Sequence, residues 1–161
     1  MEQRYATPAL QEFPQLRLLH FVSPQNQDLI KHYLVYIRAR RYGSAMQEGI
    51  IRAFKNFLVL MPEARQATLS HDLTQTTATD VDAWIETAFR HPLASSTVAT
   101  RLRLLQGFFA FLHDQGAIAQ SPIRLPRHHI LVPQDLPRPM AEDEVVAFFR
   151  VIDAVRDRTM F

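Results

Sequence analysis

Apolar residues recur every three or four positions over most of the chain, and no convincing alternation with a period of two is present. This recurrence is typical of amphipathic helices and not of strands. The pattern predicts four helices between residues 23 and 116 and a fifth from about residue 142. The predicted fold class is therefore all-α, with a compact four-helix bundle followed by an extended proline-rich linker and a fifth helix.

Local signals predict where the first two helices begin and end. Ser23 before Pro24 marks the start of the first helix, because serine caps well and proline at the first position loses no needed donor. Gly43 predicts the end of that helix. Ser44 and Gln47, three residues apart, then predict a capping box that opens the second helix.

The second helix is predicted to end at Pro62, and the polar, threonine-rich residues 63–78 are predicted as a loop. Thr79 with Asp82 predicts the start of a shorter third helix. His91 and the proline after it are expected to close this helix.

The fourth helix is predicted to be the longest. Ser95 or Ser96 is its expected cap, and Gly116 its end. The helical period predicts that six apolar residues face the core: Val98, Leu102, Leu105, Phe108, Phe109 and Leu112. Trp84 on the third helix is predicted to be a core residue and not a base-stacking one.

Five prolines between residues 122 and 139 predict a linker over 117–139 that contains no regular helix. The expected organisation is an N-terminal arm at 1–22, a helical domain at 23–116, this linker, and the start of a further, truncated domain at 140–161. The last segment carries an apolar face that is expected to favour a homodimer through residues 140–161. That face comprises Val145, Phe148, Phe149, Ile152, Met160 and Phe161.

Charge is unevenly distributed along the chain. Residues 31–55 carry a formal charge of +5 and residues 90–138 carry +4, whereas residues 56–89 between them carry −4. Sixteen of the eighteen basic residues are arginines, which suit bidentate contacts with phosphate or guanine. Two basic blocks of this kind favour a nucleic-acid partner, although a codon bias towards arginine accounts for the composition equally well.

Several function classes are excluded or disfavoured. The absence of cysteine excludes disulfides and thiolate metal sites. His128 and His129 have no carboxylate three or four residues away, so no metal or other cofactor is expected. With no long apolar run and no secretory signal at the N-terminus, a cytoplasmic protein without membrane contact is predicted.

The order of these segments resembles the N-terminal half of the tyrosine recombinase, or phage integrase, family. The segments that carry the resemblance are YLVYIRARRYGS, FKNFL, TTATDVDAWI, SSTVATRLRLLQGFFAFLHDQGAI, SPI, DLPRPMAEDEV and RDRTMF. The resemblance implies a SAM-like core-binding domain, a linker and the first residues of a catalytic domain. It also implies that duplex DNA and other recombinase protomers are the partners, and that the domain positions the enzyme on its crossover half-site.

The resemblance implies no catalytic residue within this chain. The family's catalytic arginines, lysine, histidine and nucleophilic tyrosine belong to the catalytic domain, which the resemblance places mainly beyond Phe161. Tyr5, Tyr33, Tyr36 and Tyr42 are therefore not expected to be nucleophiles. The chain alone is expected to cut no DNA.

Helical phase indicates a polar stripe on the fourth helix, where Ser96, Thr100, Arg103 and Gly107 lie opposite the apolar face. The second helix similarly places Ala45, Glu48, Arg52, Lys55 and Asn56 outward, with Glu48 expected to neutralise a nearby arginine. The predicted DNA-binding residues are Arg40, Arg41, Ser44, Gln47, Arg52, Lys55, Ser96, Thr100, Arg103, Arg124 and Arg127. The plain alternatives are a solvated helix face and, for the Ser44 and Gln47 pair, a purely capping role.

Two other functions remain open from the sequence. A helical protein-interaction domain that binds no DNA would use the acidic segment 56–89 and the apolar C-terminal face. An autonomous helix-turn-helix regulator fits less well, because the helices at 44–61 and 96–115 are long and are not joined by a three-residue turn.

Overall fold

The computed structural model describes residues 13–133 and 141–151, with the side chains of Arg150 and Val151 left out. The described part of the chain is all-helical, as predicted. Two short 3₁₀ helices, Pro14–Leu19 and Leu73–Gln75, accompany the α-helices. The α-helices are α1 (Pro24–Ala39), α2 (Ser44–Val59), α3 (Glu63–His71), α4 (Ala78–Arg90), α5 (Ser95–Asp114), α6 (Leu125–His128) and α7 (Glu142–Val151).

An aromatic cluster joins α2 and α5, the two most extensively packed helices. The Phe54 and Phe108 rings meet edge to face, with centroids 4.7 Å apart. Trp84 of α4 is fully buried against Phe57, and its indole Nε1 donates to Oδ1 of Asn56 at 3.2 Å. The predicted burial of Trp84 and of the six inward residues of α5 is confirmed, whereas Asn56 points towards α4 and not outward.

The polar stretch predicted as a loop contains α3 and a 3₁₀ helix. The helix α3 buries only Leu69, so its apolar stripe is too weak to predict from the sequence. Its position depends on Asn26 of α1, which is fully buried. The Asn26 amide donates to the carbonyls of Leu69 and Ser70 at 2.8 and 2.9 Å and accepts from the backbone N–H of Leu73 at 2.8 Å.

The Ser23 cap of α1 is confirmed, because its Oγ accepts from the backbone N–H of Asn26. Three other predicted caps are wrong. Gly43, and not Ser44, precedes α2, with no side-chain cap. Ala94 precedes α5, so neither of the predicted serines caps it.

The third misplaced cap lies at the start of α4. The capping box there is formed by Thr77 and Asp80 and not by Thr79 and Asp82. Asp80 also receives two hydrogen bonds from Arg65 of α3, at 2.7 and 2.6 Å. Burial raises the pKa of the Asp80 carboxyl, but these hydrogen bonds and those of Thr77 outweigh burial and lower it.

Both segments that flank the predicted bundle pack against it where the structure describes them. Phe13, Leu16, Leu19 and Val22, from the predicted N-terminal arm, are buried in the core. Beyond Gly116, Ile118 and Ile123 are buried as well.

The predicted linker also contains one helical turn, α6. Pro126 lies in its first turn, where proline needs no donor, so the expected absence of regular helix is wrong here. The predicted fifth helix is confirmed as α7, with its three acidic residues in the first turn. Residues 1–12, 134–140 and 152–161 lie outside the described residues, and with them Arg138, Ile152, Met160 and Phe161.

Candidate nucleic-acid interface

Three of the predicted DNA-binding residues line one open groove of about 310 Å³ between α2 and α5. They are Arg52 from α2 and Ser96 and Thr100 from α5. A Cβ added at Gly49 would lie 3.4 Å from Cδ1 of Leu104, an ordinary van der Waals contact, so α2 and α5 approach each other closely at this point. The groove, named the hydroxyl groove here, is lined by Gly49, Arg52, Ser96, Thr97, Thr100, Arg101 and Leu104.

Five of the seven residues that line the hydroxyl groove carry hydrogen-bond donors, although most of its exposed surface is apolar. It contains two guanidinium groups and three hydroxyl groups, and no carboxylate lines it. Glu48 does approach Arg52, with its Oε2 3.2 Å from Nη2 of the arginine, which agrees with the expected neutralisation. Both partners are well exposed, so this pair is weak in water. The groove can therefore offer both positive charge and hydroxyl donors to an anion.

Arg101 is the residue of the groove that sequence reasoning missed. Its Nη1 is buried without a hydrogen-bond partner. Helical phase places Arg101 well away from the centre of the predicted polar stripe, between that stripe and the apolar face. Only the packing of α2 against α5 reveals that this intermediate position faces a groove.

The basic turn between α1 and α2 contains the predicted residues Arg40 and Arg41. Arg41, and not Gly43, adopts the left-handed conformation there, with φ of 64°. Its side chain is exposed. The Arg40 guanidinium lies 3.5 Å from the centroid of the Tyr36 ring and donates to the Tyr36 carbonyl at 3.2 Å.

At the start of α2, Ser44 is exposed and lies in the first turn, where its side chain caps nothing. Gln47 donates from Nε2 to the carbonyl of Tyr42 at 3.4 Å, so its side chain spans the turn. The capping alternative for this pair is wrong. Their predicted contact with DNA is not tested by the structure and stays a prediction.

The polar stripe of α5 does not form one continuous surface. Gly107 faces α1, because a Cβ there would lie 2.6 Å from the Tyr33 Oη. Burial and the nearby Tyr36 and Tyr42 raise the pKa of Tyr33 to about 12. Arg103 is exposed but lines a separate cavity of about 370 Å³ between α5 and residues 125–132. The prediction that Gly107 faces outward is therefore wrong.

The two linker arginines predicted to bind DNA, Arg124 and Arg127, have partners within the protein. Arg127 donates from Nε to Oδ2 of Asp82 at 3.0 Å and from Nη2 to the same oxygen. His128 is almost fully buried and lies 3.2 Å from the other oxygen of Asp82. Arg124 donates to Oε1 of Gln120 at 2.6 Å. The cluster of Asp82, Arg127 and His128, named the linker contact here, holds residues 124–128 against α4.

Hydrogen bonding fixes the tautomer of His128. The backbone N–H of Arg124 donates to Nδ1 at 2.9 Å, so Nε2 carries the proton and points towards Asp82 and the carbonyl of Ala78. The hydrogen bond from Arg127 lowers the pKa of the Asp82 carboxyl, against a smaller opposing effect of burial. A phosphate contact by Arg127 would therefore have to share its guanidinium with Asp82 or displace that carboxylate.

Comparison with known proteins identifies the family. The family model of the phage integrase N-terminal SAM-like domain matches residues 30–116, which is more than half of the chain. The chain therefore belongs to the phage integrase, or tyrosine recombinase, family, as its resemblance implied. No curated protein matches the chain, and neither does any solved structure.

Within residues 13–133 and 141–149, no three histidine, aspartate or glutamate side chains are grouped so that they could hold a metal ion. No helix in the described part of the chain is long and apolar enough to cross a membrane.

Proposed function

We propose that this chain is the DNA-binding module of a site-specific tyrosine recombinase and positions the enzyme on one half of its crossover site. The observation that carries the proposal is the hydroxyl groove, in which α2 and α5 bring Arg52, Ser96 and Thr100 together without a carboxylate in the lining. Family membership supports a recombinase context. Charge supports a polyanionic partner, since both helices belong to the basic blocks of the sequence.

In this proposal the contacts divide into two kinds. Arginines and Lys55, which is exposed on α2, bind phosphates and set the position of the domain on DNA. Ser44, Gln47, Ser96 and Thr100 are small or flexible hydrogen-bonding residues that reach base edges or phosphates. Strand cleavage through a phosphotyrosine intermediate is assigned to a catalytic domain that residues 140–161 begin. The working form comprises several protomers on duplex DNA in the cytoplasm.

A salt titration of duplex binding tests the proposal. About five neutralised phosphates predict a slope of about −4 to −5 in a plot of log K against log salt concentration. No binding at low salt, or binding without salt dependence, would contradict the proposal and favour a protein-interaction domain instead.

Two substitutions on α5 separate binding from folding. Arg103→Ala should weaken binding and reduce the salt slope by about 1 without loss of thermal stability, since Arg103 is exposed. Leu105 is 1% exposed, so Leu105→Ala should instead cost about 2–5 kcal/mol of unfolding free energy. Thermal unfolding and fluorescence anisotropy with a labelled duplex measure the two effects. Unfolding caused by Arg103→Ala would show that this residue supports the core.

A further inference from the structure

The guanidinium of Arg101 makes no hydrogen bond or ion pair with any residue that the structure describes, and its Nη1 has essentially no exposed surface. A buried donor without an acceptor costs free energy, because the group has lost its water and gained nothing in return. Among the described arginines, only Arg101 has a side-chain nitrogen that is buried without an acceptor. Arg65 and Arg127, for example, each pair with an aspartate.

The surroundings of Arg101 indicate what kind of acceptor is missing. The side chain is partly buried and lines the hydroxyl groove together with Arg52, Thr97 and Thr100. Every polar side chain of this lining can donate a hydrogen bond. A tetrahedral oxyanion accepts several such bonds at once, and the planar guanidinium presents two parallel donors to it.

We infer that the hydroxyl groove is a phosphate-binding subsite in which a phosphodiester of duplex DNA supplies the partner that Arg101 lacks. The inference rests on the proposed function and adds a residue to it. Arg101 is only partly exposed, so a phosphate that binds at the edge of its guanidinium facing the groove is less screened by solvent, and the low local dielectric strengthens the contact. Arg101 then contributes more to binding than an exposed arginine of the same charge.

Duplex binding by the full chain tests this inference. Arg101→Ala should weaken binding about tenfold at low salt and reduce the salt slope by about 1. Arg90→Ala is the matched control, because Arg90 is an exposed arginine on α4 that is paired with Glu86 and does not line the groove. The duplex affinity of Arg90→Ala should differ from that of the wild type by less than about twofold.

Thermal stability separates the inference from a structural role. Removing an unsatisfied buried donor should leave the melting temperature of Arg101→Ala unchanged or higher. A lower melting temperature combined with wild-type affinity for the folded fraction would overturn the inference and make Arg101 a packing residue. Arg101→Lys keeps the charge but loses the planar pair of donors, so it should recover only part of the affinity.

Competition by inorganic phosphate distinguishes a site for the DNA backbone from a site for a free phosphate anion. Phosphate should compete with duplex in the wild type and have less effect on Arg101→Ala. If phosphate stabilises the wild type while Arg101→Ala binds duplex as tightly as the wild type does, the groove binds a free anion and the inference is wrong. If the proposed function itself is wrong, the wild type will bind no duplex at low salt, and this result is distinct from the outcomes above.

Discussion

The hydroxyl groove and the linker contact use arginine in opposite ways. In the linker contact, Arg127 is paired with Asp82 beside the buried His128. Its charge therefore stabilises the packing of residues 124–128 against α4. In the groove, Arg101 has no partner among the described residues, and Arg52 has only a weak, exposed one. A count of basic residues treats these two regions alike, whereas the structure separates an arginine that is paired within the fold from arginines with a weak partner or with none among the described residues.

Of the substitutions that test this comparison, removal of the centre of the linker contact should have the largest effect. His128 is 2% exposed, so His128→Ala leaves a cavity and two unpaired polar groups and should cost about 2–3 kcal/mol of unfolding free energy. Thermal unfolding measures the loss, and hydrogen exchange of residues 118–133 should show that it is local to the linker. If hydrogen-exchange protection of residues 118–133 is unchanged in His128→Ala, the ion pair of Arg127 alone is sufficient to keep the segment packed.

The second prediction concerns the basic turn, where Arg41 adopts a left-handed conformation that costs a non-glycine residue about 1–2 kcal/mol. Arg41→Gly should relieve this strain and, after the extra entropy of the unfolded glycine, stabilise the protein by about 0.5–1 kcal/mol. It should also weaken duplex binding several-fold if Arg41 binds phosphate, as the proposed function assigns it. Arg41→Lys is the control that keeps both charge and strain.

A gain in stability together with a loss of affinity would place Arg41 with the groove residues and not with the linker contact. A loss in both quantities would instead show that the Arg41 side chain supports the turn. Because stability and duplex affinity are expected to change in opposite directions, Arg41→Gly is more informative than an alanine substitution at an ordinary surface arginine.

The inward faces of the helices were predictable, because burial of an amphipathic helix follows from its period alone. The start of α4 was not predictable from the sequence. Thr77 with Asp80 and Thr79 with Asp82 share the same spacing, so local sequence does not distinguish them. The hydrogen bonds from Arg65 to Asp80 select the first pair, and Asp82 is left free for the linker contact.

The candidate site shows the same limit of local reasoning. Helical phase correctly predicted that Ser96 and Thr100 are exposed, because a residue needs only to lie away from the core for this, and their contact with DNA stays a prediction. It misplaced Gly107, because α1 crosses α5 at that position and the Tyr33 hydroxyl fills the space beside it. Arg101 was missed because its partner surface belongs to α2, and only tertiary packing brings that surface to it.

Neutralising one acidic partner in each region tests the comparison directly. Glu48→Gln frees Arg52 beside the groove and should raise duplex affinity about threefold, or about 0.7 kcal/mol. Asp82→Asn frees Arg127 and should change affinity by less than about twofold, while lowering stability by about 1 kcal/mol at most. Equal gains in affinity would show that the linker contributes to DNA binding as much as the groove does.

The smallest expected effect is a difference in acid stability. The pKa of Asp82 is lowered below its ordinary value of 3.8 in the folded protein, so Asp82 stabilises the fold fully above that pH. The contribution is lost as the pH falls through the lower folded pKa. Asp82→Asn should therefore reduce the slope of unfolding free energy against pH below 3.8, whereas Arg101→Ala, which removes no carboxylate contact, should leave it unchanged. Chemical denaturation at several pH values down to about pH 2 measures both slopes, and identical slopes for Asp82→Asn and the wild type would show that the linker contact contributes nothing to acid stability.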